Sequence, residues 1–143
     1  MAGNILELQK HVFPGKKIIV WAANAHILHN SRADGIYPFR SMGDYLWAQL
    51  GDRCFTVLFT SSNGHTRNIY NKSVSNIFEA GNRSLEGKLK ERGWAEGLVD
   101  LRRLPASAHF KLRVLRHGNH EAHWPEMADA LHFIPQMTPY APN

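Results

Sequence analysis

Residues Ile18 to Asn30 read IIVWAANAHILHN. From Ile18 to Ala22 every side chain is apolar, so neither face of the segment suits water. A strand apolar on both faces is the mark of the interior of a parallel sheet covered on both sides. The run then stops at Asn24-Ala25-His26, an amide and an imidazole. Alternate residues of a strand share a face, so Asn24 and His26 are expected to point the same way at the strand's end.

Upstream, Ile5, Leu8 and Val12 fall on one face of a helix over Asn4 to Val12. Pro14-Gly15 stops it. Downstream, Asn24 to Arg40 is a long polar loop with Gly35 and Pro38. Ser41 is placed to cap a helix, with Asp44 at its third position. Met42, Tyr45, Leu46 and Leu50 make that helix's apolar stripe, and Gly51 ends it. Cys54 to Thr60, CFTVLFT, reads as a second strand buried on both faces. Strand, helix and strand form a crossover unit, which is right-handed in nearly all sheets. Both strands then end on one edge, with the loops Asn24 to Arg40 and Ser61 to Arg67 side by side. Ligands of open α/β sheets bind there.

The second half is less regular. Arg67 to Asn82 is polar and irregular. Ser84 caps a short helix to about Arg92 with Leu85 and Leu89 inward, and Gly97 to Leu101 is a short strand. Phe110, Leu112 and Val114 alternate with Lys111 and Arg113, as in a half-exposed edge strand. Ala130 to Pro135 is a last strand, and Pro139 to Asn143 a tail. The expected fold is α/β, a mainly parallel central sheet with helices on both faces. One domain over residues 1–143 is expected, since no repeat or linker interrupts the chain.

Composition excludes several classes. With 43% hydrophobic residues the chain is not disordered. A single cysteine, Cys54, allows no internal disulfide and fits a reducing compartment. Met1 to Phe13 lacks the pattern of a signal peptide, and no apolar run approaches the ~20 residues that span a bilayer. A soluble, cytoplasmic protein with no membrane partner is expected. The net charge is +5, but acids and bases interleave, so no basic face for nucleic acid is expected.

Nine histidines stand out. At the strand's end, a neutral His26 imidazole could take a proton from water near pH 7; it could equally bond to loop backbone. His65, in SSNGHT, is a weaker candidate in what reads as a turn. His117, His120 and His123 could hold zinc, yet HEAH is one residue short of HExxH, whose two histidines face one ion. Gly118-Asn119 argue for a solvated, histidine-rich loop, so no metal is expected. There is no GxSxG elbow, phosphate loop, GxGxxG or CxxC pair. Cys54 reads as core. Carboxylates near the expected ligand edge are few: Asp34, Asp44 and Glu79.

Five blocks occur in order: KIIVWAANAHI (Lys17 to Ile27), MGDYLWAQLGDRCFTVLFTSSNG (Met42 to Gly64), SLEGKLKERG (Ser84 to Gly93), LVDLRRL (Leu98 to Leu104) and WPEMADALHFIPQMTP (Trp124 to Pro139). Together they resemble the C-terminal portion of the erythromycin esterase family, which includes proteins named for succinoglycan biosynthesis. The resemblance implies an α/β hydrolase that adds water to an ester or lactone, with a histidine general base and no cofactor. It also implies a small-molecule substrate, macrolide resistance and an antibiotic response. The family domain is longer than this chain, so the chain supplies part of a cleft. Family members typically read Trp-Ala-His-Asn-Ala-His here. Trp21, Ala22, Asn24, Ala25 and His26 match, and Ala23 replaces the first histidine. The site residues expected are His26 first, Asn24 beside it, then His65 and Arg40. The alternative is a non-catalytic binding or scaffold domain that keeps the fold, which Ala23 favours. An exposed edge near Phe110 to Val114 could carry a homo-oligomer contact.

Overall fold

The structure is a computed structural model that describes residues 1–68, 70–105 and 107–139. Helix α1 (Ala2–Glu7) runs into a wider turn at Leu8–Val12, near the expected helix, though none of its residues is buried. A single helical turn, α2 (Asn24–Ile27), follows, then α3 (Met42–Leu50). Next come β1 (Val57–Arg67), β2 (Val74–Ile77), α4 (Leu85–Glu91) and β3 (Gly97–Asp100). The chain closes with β4 (Phe110–Leu115), β5 (Gly118–Ala122) and β6 (Ala130–Met137).

The main sheet has the order β2-β1-β6-β3. Only β1 and β6 run parallel, from Val57 opposite Ala130 to Gly64 opposite Met137. β2 joins β1 antiparallel and β3 joins β6 antiparallel. The fold is therefore mixed α/β, and the mainly parallel sheet expected from the sequence is corrected. The reason lies in Ile18 to Ala22. This segment belongs to no strand, and Ile19 and Trp21 are 90% and 83% exposed. Its apolar composition signalled a buried surface but named no partner strand. The edge of β1 that a strand there would use is taken at Phe59 by the side chain of Asn24. Without that strand the crossover unit, and the shared edge argued from it, do not form.

Four further expectations shift. The second strand starts at Val57 and continues through Ser61 to Arg67, so His65 is a strand residue, opposite Asn76 of β2. β2 itself lies in the stretch read as irregular. β4 is not half exposed: Leu112 to Leu115 are all buried, Arg113 included at 6% exposure. Arg113 is tolerated there because its guanidinium donates to the carbonyls of Ser62 (2.9 Å), Phe78 (2.9 Å) and His117 (3.1 Å). The histidine-rich stretch expected as a loop contains β5, which forms a hairpin with β4. Its two-residue turn, Arg116-His117, has positive φ at both positions, 51° and 58°, as the tightest hairpin turns require.

Other expectations hold. Ser41 caps α3 by accepting from the Asp44 N–H at 3.0 Å, and the Ser41 N–H donates back to Asp44 Oδ2 at 3.3 Å. Gly51 ends the helix at φ 52°. Ser84 caps α4, β3 forms, and β6 covers the expected last strand. Of the expected tail, everything beyond Pro139 lies outside the described residues.

The core gathers Leu28, Leu58, Leu101, Leu112, Trp124 and Leu131, all fully buried. The Trp124 indole N–H reaches the carbonyl of Phe110 at 2.9 Å, so its burial leaves no orphan donor. Glu86, also fully buried, ties three elements together. Its Oε1 accepts from Thr60 Oγ1 and from the Arg113 N–H, each at 2.7 Å. No helix among the described residues is long and apolar enough to cross a membrane.

Candidate functional site

The turn α2 carries two of the expected site residues. Asn24 opens it and acts as a rivet. Its Oδ1 accepts from the Phe59 N–H at 3.0 Å. Its Nδ2 donates to Phe59 O at 2.7 Å and to Val114 O at 2.8 Å. Both amide hydrogens are thus spent on β1 and β4, and neither is left for a substrate. Two positions on, the His26 backbone N–H closes the turn onto the Ala23 carbonyl at 2.8 Å. The His26 side chain is exposed and makes no hydrogen bond to another described residue.

The loop after α2 is firmly held. Asp44 Oδ2 accepts from the Ser31 N–H at 3.1 Å and from the Ser31 hydroxyl, and Ser41 Oγ donates to Leu28 O at 2.6 Å. Gly43 lets α3 approach α2 closely: a Cβ there would lie 2.1 Å from the Ile27 carbonyl oxygen. A long polar loop is thereby fixed by a carboxylate that the helix cap already needs.

Arg40 sits at the end of this loop. Its guanidinium stacks over the Tyr45 ring at 4.4 Å and donates to the Asp44 carbonyl at 3.4 Å. It lines a polar cavity of about 660 Å³ with His29, Arg32, Arg102, Glu126 and Asp129. The imidazole there is His29, whose one signal in the sequence is its spacing of three from His26. His29 is buried, with Nε2 2.6 Å from Thr56 Oγ1 and 3.9 Å from Asp129 Oδ2. Burial pushes its pKa below the ordinary histidine value, against the opposing pull of the Asp129 and Asp44 carboxylates. Thr56 is only 5% exposed, and this buried cluster ties the residue just ahead of β1 to His29. His65 lies on β1, exposed, beside β2.

The structure thus places Arg40 with His29 in one cavity. His26 lines neither that cavity nor a second, apolar groove of about 870 Å³ between Ile18 to Ala22 and the Leu46 side of α3.

A family model described as erythromycin esterase matches residues 1–139. A solved structure of a succinoglycan biosynthesis protein is similar at a TM-score of 0.73 and 21% identity, over 96% of this chain and 37% of that one. A second, of a protein from Bacillus cereus, is similar at a TM-score of 0.72 and 16% identity, with the same coverages. At these identities the two show the fold alone. This chain spans 37% of the length of each. No curated protein matches.

Proposed function

Because the chain belongs to the erythromycin esterase family, we propose that it contributes a hydrolytic site in which water attacks an ester or lactone carbonyl and a histidine takes the proton. The observation that carries this reading is the family match over residues 1–139. His26 is the imidazole we assign as base. It is exposed at the end of a turn whose other end is bonded into β1 and β4 through Asn24. A base acts only within hydrogen-bond reach of the proton it removes, and the Asn24 rivet fixes where His26 starts from. Asn24 is therefore a positioning residue.

His65 and Arg40 are the further candidates. An Arg40 guanidinium facing a polar cavity that His26 does not line suits a substrate carboxylate. The substrate we assign is a small-molecule ester or lactone, macrolides among them, handled without a cofactor in a cytoplasmic setting. The second reading, a binding or scaffold domain without turnover, is favoured by one observation: no described acceptor orients the His26 ring. The two separate in one assay. Purified chain is incubated with a panel of lactones and aryl esters, and ring-opened or cleaved products are followed by mass spectrometry. Turnover above the buffer rate, lost in His26→Ala, supports the hydrolase; binding without turnover supports the scaffold.

A further inference from the structure

The β4–β5 hairpin ends in a cluster that none of the readings above uses. Phe110 stands opposite Ala122, and Lys111 opposite Glu121. One step further out, His109 and His123 meet across the hairpin, their ring centroids 4.6 Å apart. Alternation along β5 puts Glu121 on one face and His120 on the other, and His123 follows directly after the strand. The loop after α2 adds a carboxylate beside His123. Asp34 Oδ2 accepts from the His123 backbone N–H at 2.8 Å and lies 3.1 Å from His123 Nδ1. Glu121 Oε1 is 3.5 Å from His109 Nδ1, and its other oxygen is 3.4 Å from Lys111 Nζ.

We propose that Asp34, His109 and His123 form a binding site for a divalent transition-metal ion of the zinc class, with Glu121 in reach as a fourth ligand. One donor atom from each of the first three lies within 4.8 Å of the others. Zinc bonds of about 2.0–2.1 Å in a tetrahedron put ligand atoms about 3.4 Å apart. The Asp34–His123 pair already meets that spacing, and His109, being exposed, closes the remainder by rotating its ring. Two imidazole nitrogens with carboxylate oxygen select zinc, cobalt or nickel over magnesium or calcium, which prefer all-oxygen sets. The anchoring is already built. Asp34 sits at φ 52°, a conformation aspartate tolerates better than most residues. The His123 backbone N–H fixes one carboxylate oxygen, as outer hydrogen bonds do for metal ligands.

The test titrates the full chain with Co²⁺, then Zn²⁺, at about pH 7.5, where imidazoles are neutral ligands. Expected are one equivalent of bound Co²⁺ with visible ligand-field bands, and displacement of those bands by one equivalent of Zn²⁺. His109→Ala, His123→Ala and Asp34→Asn should each weaken binding at least about tenfold. His120→Ala, on the opposite face of β5, should bind as the unaltered chain does, and circular dichroism should match throughout. Several weak equivalents, no saturable binding, or binding that survives both His109→Ala and His123→Ala would overturn the site. So would an equal loss in His120→Ala.

Discussion

The side-chain amide of Asn24 pairs with the peptide of Phe59 as a neighbouring strand would, accepting at 3.0 Å and donating at 2.7 Å. A third bond, to Val114 O, stitches β4 to the same point. Each such bond contributes about 1 kcal/mol net. Asn24→Ala is expected to cost about 2–3 kcal/mol, read as a lower urea midpoint with an unchanged slope. Asn24→Asp should cost at least as much, because a carboxylate faces two carbonyls that need a donor. An unchanged midpoint in both variants would remove the rivet.

Gly43 is the second constraint on the same turn. A methyl group there meets the Ile27 carbonyl oxygen at 2.1 Å, backbone rather than a flexible side chain. Gly43→Ala must push α2 and α3 apart. Overpacking of this kind costs about 1–3 kcal/mol or more, despite alanine's better helix propensity. Thermal melting checks it: a raised Tm would show that the approach is not tight.

Glu86 links α4, β1 and β4 from a fully buried position. Glu86→Ala strands the Thr60 hydroxyl and the Arg113 N–H and leaves a cavity. The expected loss is about 3–5 kcal/mol. Glu86→Gln keeps an acceptor oxygen and should lose distinctly less. Chemical denaturation of the two variants side by side measures the difference.

His29 sets a pH dependence. Its folded pKa lies below the unfolded value of 6.5 because of burial. Above about pH 6.5 both states are neutral there, and the contribution to stability is whole. As pH falls below 6.5 the unfolded chain takes up the proton first, so stability declines. His117, also lowered by burial and then by Arg113, adds in the same direction. Melting temperatures should therefore drop between about pH 7 and pH 5. His29→Gln should flatten that slope; an unaltered slope would show that His29 does not cause it.

What could be read from sequence follows from how local each signal is. The α3 cap is written in Ser41, Asp44 and Gly51, all within one helix, and it forms as expected. β6 and β3 were equally visible from short apolar runs. Ile18 to Ala22 misled because composition reports a wish for burial and not the partner that supplies it. The Asn24–Phe59 pairing joins residues 35 apart, and no periodicity shows it. β5 is not legible because its turn uses Arg116-His117 where asparagine and glycine are the usual signal. His26 stands out in the sequence as a polar residue after an apolar run, but its place in the helical turn Asn24–Ile27 is not visible there. The burial of His29 against Thr56 and Asp129 depends on contacts far along the chain and is not visible either.

The hydrolytic reading stands most directly on one ratio: kcat/KM for lactone or ester hydrolysis by the purified chain over that of His26→Ala, with matching circular dichroism. General-base catalysis is worth about 10²–10⁴-fold. A fall of at least about a hundredfold in His26→Ala is the expected result. Equal rates for the two proteins would contradict the role assigned to His26.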